Sequence, residues 1–113
     1  MKYMLLIYHD EQAFWGLSEE ERQSIYGRYR AFREEIISSG NYIDGSQLLP
    51  VATANSVKVR DGKQLTTDGP FAETKEQLGG YFLIEAGSQE EASGIAARIP
   101  SAQTGTIEVR PLA

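Results

Sequence analysis

Along residues 2–8, Tyr3, Leu5 and Ile7 alternate with Met4, Leu6 and Tyr8, so a strand here is apolar on both faces and must be covered on both. Gly79-Gly80 opens a second run of this kind, Tyr81-Phe82-Leu83-Ile84-Glu85-Ala86, polar only at Glu85. Both read as central strands. Between them the period changes. Ser18-Glu19-Glu20-Glu21 has the form of a capping box, and Ile25, Tyr29, Phe32 and Ile36 follow in steps of 4, 3 and 4. That spacing is one stripe of a helix over 18–39, stopped by Ser39-Gly40-Asn41. Ser88-Gln89-Glu90-Glu91 repeats the signal ahead of Ala92, Ile95, Ala96 and Ile99, and Pro100 ends this second helix. The stretch through Phe14-Trp15-Gly16 reads as irregular. Residues 42–50 give a short strand around an Asp44-Gly45 turn, 55–67 a hairpin about Asp61-Gly62, and 106–111 a closing strand. For the hairpin, a three-residue loop setting Val57 opposite Leu65 is preferred to a two-residue turn, which would place Arg60 opposite Lys63.

This order is that of the ferredoxin-like split β-α-β arrangement, an α+β fold with both helices on one face of an antiparallel sheet. Each helix has a single apolar stripe, so the opposite sheet face has no cover in one chain. A homodimer through that open face is the simplest cover.

The chain has 113 residues, 41% of them hydrophobic, which fits a single domain over 1–113. Its formal charge of −5, without a run of Lys and Arg, argues against nucleic acid as a partner. Met4-Leu5-Leu6-Ile7-Tyr8 is far too short to span a membrane, and His9-Asp10-Glu11 follows it where an export signal would need small residues. The expected location is the cytoplasm. With no Cys and one His the donor set for zinc is poor, and no spaced calcium loop, glycine-rich nucleotide loop or nucleophile-elbow motif occurs. No metal or cofactor is expected.

The densest unusual stretch is Asp68-Gly69-Pro70-Phe71-Ala72-Glu73-Thr74-Lys75-Glu76. As a structural turn, Asp68 accepts backbone hydrogen bonds, Pro70 fixes its own φ, Phe71 pins the loop into the core, and Glu73, Lys75 and Glu76 pair on the surface. As a binding loop, the same constraint presents Asp68, Glu73 and Lys75 in fixed geometry at a pocket mouth. His9, the only histidine, lies at the end of the first strand. Its imidazole suits general-base work near neutrality, and the alternative is a plain hydrogen bond to the neighbouring Asp10 or Glu11. Phe14, Trp15, Tyr26 and Tyr29 are assigned to the core, with a cavity beneath the first helix as the alternative.

The segment Asp68-Gly69-Pro70-Phe71-Ala72-Glu73-Thr74-Lys75-Glu76-Gln77-Leu78-Gly79-Gly80-Tyr81, with the closing Ile107-Glu108-Val109-Arg110-Pro111, resembles the YCII-related family in its DGPF-containing branch. The similarity extends over the opening strand, Gly45-Ser46-Gln47-Leu48-Leu49-Pro50 and the Ser88-Gln89-Glu90-Glu91-Ala92 helix start. It implies a ferredoxin-like domain that assembles into a dimeric α+β barrel. The activity it implies is largely unassigned. Short members of the family have a His in the first helix and an Asp after the second as an acid/base pair; here the helix has no His, and Ile99-Pro100-Ser101 fills the other region. Any chemistry must therefore use other residues, with His9 and Asp68 as the catalytic candidates and Glu73, Lys75 and Arg110 as ligand-binding ones. The expected function is a dimeric small-molecule binder or cofactor-independent enzyme with a cavity near the DGPF loop. The resemblance also implies an alternative, a regulatory partner of an extracytoplasmic-function sigma factor.

Overall fold

The structure is a computed structural model that describes residues 1–113. Strand β1 (Lys2–His9) is followed by a short helix α1 (Glu11–Trp15), the long helix α2 (Glu19–Ser38) and strand β2 (Tyr42–Gln47). A hairpin of β3 (Asn55–Arg60) and β4 (Lys63–Asp68) precedes β5 (Gln77–Glu85), α3 (Gln89–Ala96) and β6 (Thr106–Pro111). The main sheet runs β2-β5-β1-β6, entirely antiparallel, with the two double-sided apolar strands at its centre. This is the ferredoxin-like α+β order.

One core explains the stripes. Phe32 and Ile36 of α2, and Ala92, Ile95 and Ala96 of α3 with Ile99 just beyond it, pack on Tyr3, Leu5, Ile7, Phe82 and Ile84. Both helices thus cover the same sheet face. Each begins as the capping boxes require, with Ser18 Oγ accepting from Glu21 N–H and Ser88 Oγ from Glu91 N–H, both at 3.1 Å. The return bonds differ: Glu21 accepts from the Ser18 hydroxyl, and Glu91 accepts from Gly87 N–H one residue before the cap.

Several elements depart from the sequence reading. The stretch before Gly16 is not irregular but forms α1, because Asp10 Oδ1 accepts from Ala13 N–H and caps it. Asp44-Gly45 is not a turn; both residues lie inside β2, where a Cβ on Gly45 would stand 2.7 Å from Phe82 Cδ1. Glycine is there for close approach. The hairpin has the two-residue turn and not the three-residue loop, with Arg60 opposite Lys63 and Lys58, not Val57, opposite Leu65. Asp61 (φ 52°) and Gly62 (φ 72°) both lie in the left-handed region, giving a two-residue turn whose twist matches the strands. Two exposed cations facing each other in water cost too little to oppose it.

On the sheet's other face Met4, Leu6, Tyr8, Tyr81 and Leu83 are half-buried, and no helix lies over them. The hairpin forms a separate two-stranded sheet, with Val57, Val59 and Leu65 at 49–62% exposure. A compact monomer of this mass is expected to expose about 6,200 Å². This chain, at 12.5 kDa, exposes 7614 Å². Its radius of gyration is 15.9 Å, against about 13 Å for a compact chain of its length.

Candidate functional site

The clearest concavity lies between α2 and the end of the sheet where β1 finishes. It is about 300 Å³ and is walled by aromatic rings: Phe14 from α1, Tyr26 and Tyr29 from α2, and Phe82 from β5. Phe14 meets Tyr26 edge-on with ring centroids 5.9 Å apart, and Tyr29 stacks on Phe82 at 6.4 Å. A second cavity of about 270 Å³ lies alongside. His9, Phe14, Ile25 and Ser101 line both and so form the wall between them.

His9 reaches this place through the β1–β5 register. Ile7 pairs with Gly80 and Tyr8 with Leu78, so Gly79 is the extra residue of a β-bulge. A Cβ on Gly79 would lie 2.5 Å from His9 Nε2, so the bulged glycine makes the space that the imidazole occupies. The ring also meets Phe14 edge-on, with centroids 5.5 Å apart. The plain hydrogen bond to a neighbouring carboxylate is not formed. Asp10 caps α1, while Glu11 accepts from Val51 N–H at 3.1 Å. The imidazole makes no hydrogen bond within the chain and is left facing the cavities.

Tyr29 brings a phenol to the lining of the first cavity. Its hydroxyl and Ser101 Oγ share a hydrogen bond of 2.6 Å. Burial pushes the phenol above its ordinary pKa, and the Ser101 contact offsets part of that rise. At the β2 edge, Gln47 Nε2 donates to Tyr26 Oη at 3.3 Å and ties strand to helix across the opening. Arg30 and Arg33 complete the rim.

The other sequence candidates lie elsewhere: neither Asp68, Glu73, Lys75 nor Arg110 lines either cavity. Asp68 is exposed and accepts one hydrogen bond, from Asn55 Nδ2 at 2.9 Å. The loop is held by backbone instead, with Gly69 N–H donating to Ala54 O at 2.7 Å and Ser56 Oγ to Gly69 O at 2.8 Å. Phe71 does not pin the turn into the core; it is 88% exposed. Glu73 and Lys75 are exposed and form no ion pair; the pairs present join the N-terminus with Glu85, Glu35 with Arg98 and Glu108 with Arg110. Arg110 therefore sits on the open sheet face, beside Tyr8, whose hydroxyl donates to Glu108 at 3.3 Å. Burial and the Glu108 charge push the Tyr8 phenol up. The cavity expected near the DGPF loop is thus at His9, and Trp15, grouped with the ring residues, is exposed beneath the Arg22 guanidinium.

Arg30 and Arg33 were missed from sequence. A signal was there: Arg22, Tyr26, Arg30 and Arg33 step by 4, 4 and 3, a basic and aromatic stripe beside the apolar one. No three His, Cys, Asp or Glu side chains converge as a cation site. No helix is long and apolar enough to cross a membrane.

The whole chain, residues 1–113, matches the family model described as YCII-related domain. The chain belongs to the YCII-related family. It is also 36% identical over 115 residues to an uncharacterised protein of Rhizobium meliloti (strain 1021), covering all of this chain and 93% of that protein. In this YCII-related chain α2 carries no histidine, and the segment after α3 is a 3-10 turn, Pro100–Gln103, with Ser101 bonded to Tyr29 where the acid/base carboxylate is implied by resemblance. His9 is the histidine that reaches the cavity.

Proposed function

We propose that this YCII-related protein binds a small molecule in the aromatic cavity at the end of β1, and does so as a homodimer joined through the open sheet face. The observation that carries the binding reading is His9: a half-buried imidazole, hydrogen-bonded to nothing in the chain, held between Gly79 and Phe14 against a preformed cavity. Preformed, largely apolar pockets with a few convergent polar groups are the usual form of a small-molecule site. The supporting polar groups are the Tyr26 and Tyr29 hydroxyls, Gln47 and Ser101. A cofactor-independent proton transfer would use His9 as the base.

The dimer reading is supported by the surface excess. The chain exposes about 1,400 Å² more than a compact monomer should, and a stable dimer needs about 800 Å² from each partner. Only 13 of 113 residues are buried, a small core for a chain that stands alone. Asp68, Glu73 and Lys75 remain binding candidates only if a second chain brings its own cavity to them. For the alternative, a sigma-factor partner, the support is the acidic net charge of −5.

The test is a ligand screen by thermal shift on wild type and His9→Gln, followed by turnover assays of any hit. A ligand that stabilises wild type and loses that effect in His9→Gln supports the site; equal stabilisation of both places it elsewhere.

A further inference from the structure

We propose that the cavity takes a small ring-bearing carboxylate, with Arg30 and Arg33 holding the anion and the aromatic walls holding the ring. This rests on the reading of the cavity as the ligand site and names its ligand class. Although the chain carries 16 Asp and Glu against 11 Lys and Arg, no carboxylate lines the cavity, whereas two guanidiniums and the imidazole do. The local charge is opposite in sign to that of the molecule.

Neither guanidinium is neutralised by the chain. Arg30 takes part in no ion pair and donates no hydrogen bond; Glu34, one turn further along α2, does not pair with it and does not line the cavity. Arg33 lies over the Tyr42 ring, 5.0 Å from its centroid, and donates only to the Tyr42 hydroxyl at 3.3 Å. A guanidinium has five N–H donors, and stacking on a ring leaves its edge available. By contrast, Arg98 and Arg110 are paired with Glu35 and Glu108, and Arg22 is spent on the carbonyls of Trp15 and Leu17. Arg30 and Arg33, the two guanidiniums that line this cavity, pair with no carboxylate of the chain and are three residues apart on one helix, a spacing at which both can reach one carboxylate.

The body of the ligand follows from size and lining. The volume is about 300 Å³, against the roughly 150 Å³ that accommodates a benzene ring in an apolar cavity. One ring with substituents fits. Phe14, Tyr26 and Tyr29 offer faces and edges to it. His9, from β1, lines the same cavity and offers a nitrogen to a polar substituent on the ring.

The test compares benzoate with its neutral counterpart benzamide, titrated into wild type, Arg30→Gln and Arg33→Gln, with the backbone amide resonances of Gly45, Gly79 and Gly80 as the readout. Those glycines line the cavity. The expected result is that benzoate shifts all three, that benzamide binds roughly tenfold more weakly or less, and that each arginine variant weakens benzoate by a similar factor while leaving benzamide unchanged. Raised salt should weaken benzoate alone. Benzamide binding as tightly as benzoate, or benzoate unaffected by both variants, overturns the anion inference while the cavity reading stands. Failure of both probes and of a neutral fragment mixture to move the three glycines overturns both. Benzoate that perturbs only residues elsewhere overturns the inference.

Discussion

Replacing Gly79 by alanine would set a methyl group 2.5 Å from His9 Nε2 and 2.7 Å from His9 Cδ2, well inside the contact distance of about 3.5 Å. The Gly79 φ does not lie in the left-handed region, so the backbone accepts alanine and the whole effect comes from the ring. His9 cannot turn aside at no cost, because its ring is also in edge-on contact with Phe14, 5.5 Å between centroids. Overpacking of this kind costs about 1–3 kcal/mol, and the smaller unfolded-state entropy of alanine returns about 0.4–1 kcal/mol. The expected net loss is roughly 0.5–2 kcal/mol, with the melting temperature falling by about 4 °C per kcal/mol. Urea unfolding measures it, at one protein concentration so that any self-association weighs equally on wild type and variant. A double-mutant cycle assigns it. In a His9→Ala background the clash is gone, and Gly79→Ala should then be neutral or slightly stabilising. An equal loss in both backgrounds, or no loss in wild type, would refute the idea that the bulge glycine exists to seat the imidazole.

If the proposed dimer forms through the open sheet face, Leu83→Arg should yield monomers by light scattering, and a wild type that is already monomeric at micromolar concentration would refute that proposal. Because burial raises the Tyr29 pKa above its ordinary 10.0, the folded state favours the neutral phenol. That stabilisation is complete below about pH 10 and lost as pH rises through the folded value, so Tyr29→Phe should flatten the alkaline fall in unfolding free energy. An identical alkaline slope in the variant would contradict it. Asp68→Ala should cost less than about 1 kcal/mol, since its carboxylate is exposed and accepts one bond. A loss of 2 kcal/mol or more in the same urea assay would show that the turn depends on it.

The fold was legible where one period dominated. Tyr3 to Tyr8, the stripe Ile25-Tyr29-Phe32-Ile36 and the strand at 106–111 announce their elements because each alternation or stripe meets a core that demands it. The hairpin register was not, because its choice rests on the left-handed φ of Asp61 rather than on the cross-strand charge pair that is visible in the sequence. The structural-turn reading pinned Phe71 into the core, but the loop is held by its backbone bonds and leaves the ring exposed. The site was half legible: His9 stands out by its type, but its position depends on a bulge in a strand seventy residues away, and bulges leave no mark in a periodic pattern. Arg30 and Arg33 did not stand out, because arginines on a helix are usually solvated surface charges.

The sheet order has a consequence for synthesis. Strand β1 is central and pairs only with β5 and β6, which are made after α2, β2 and the hairpin. A growing chain therefore exposes this apolar strand early and must carry it unpaired while α2, β2 and the hairpin are added. Local elements can form early, α2 above all, but the core cannot close until residues 77–85 are available, and β1 keeps an open edge until 106–111 arrive. During that interval the strand is a template for the wrong partner, including β1 of a neighbouring nascent chain. Loss of β6 by early termination would leave that exposure permanent, so such fragments are expected to be recovered as aggregates rather than as a smaller folded domain.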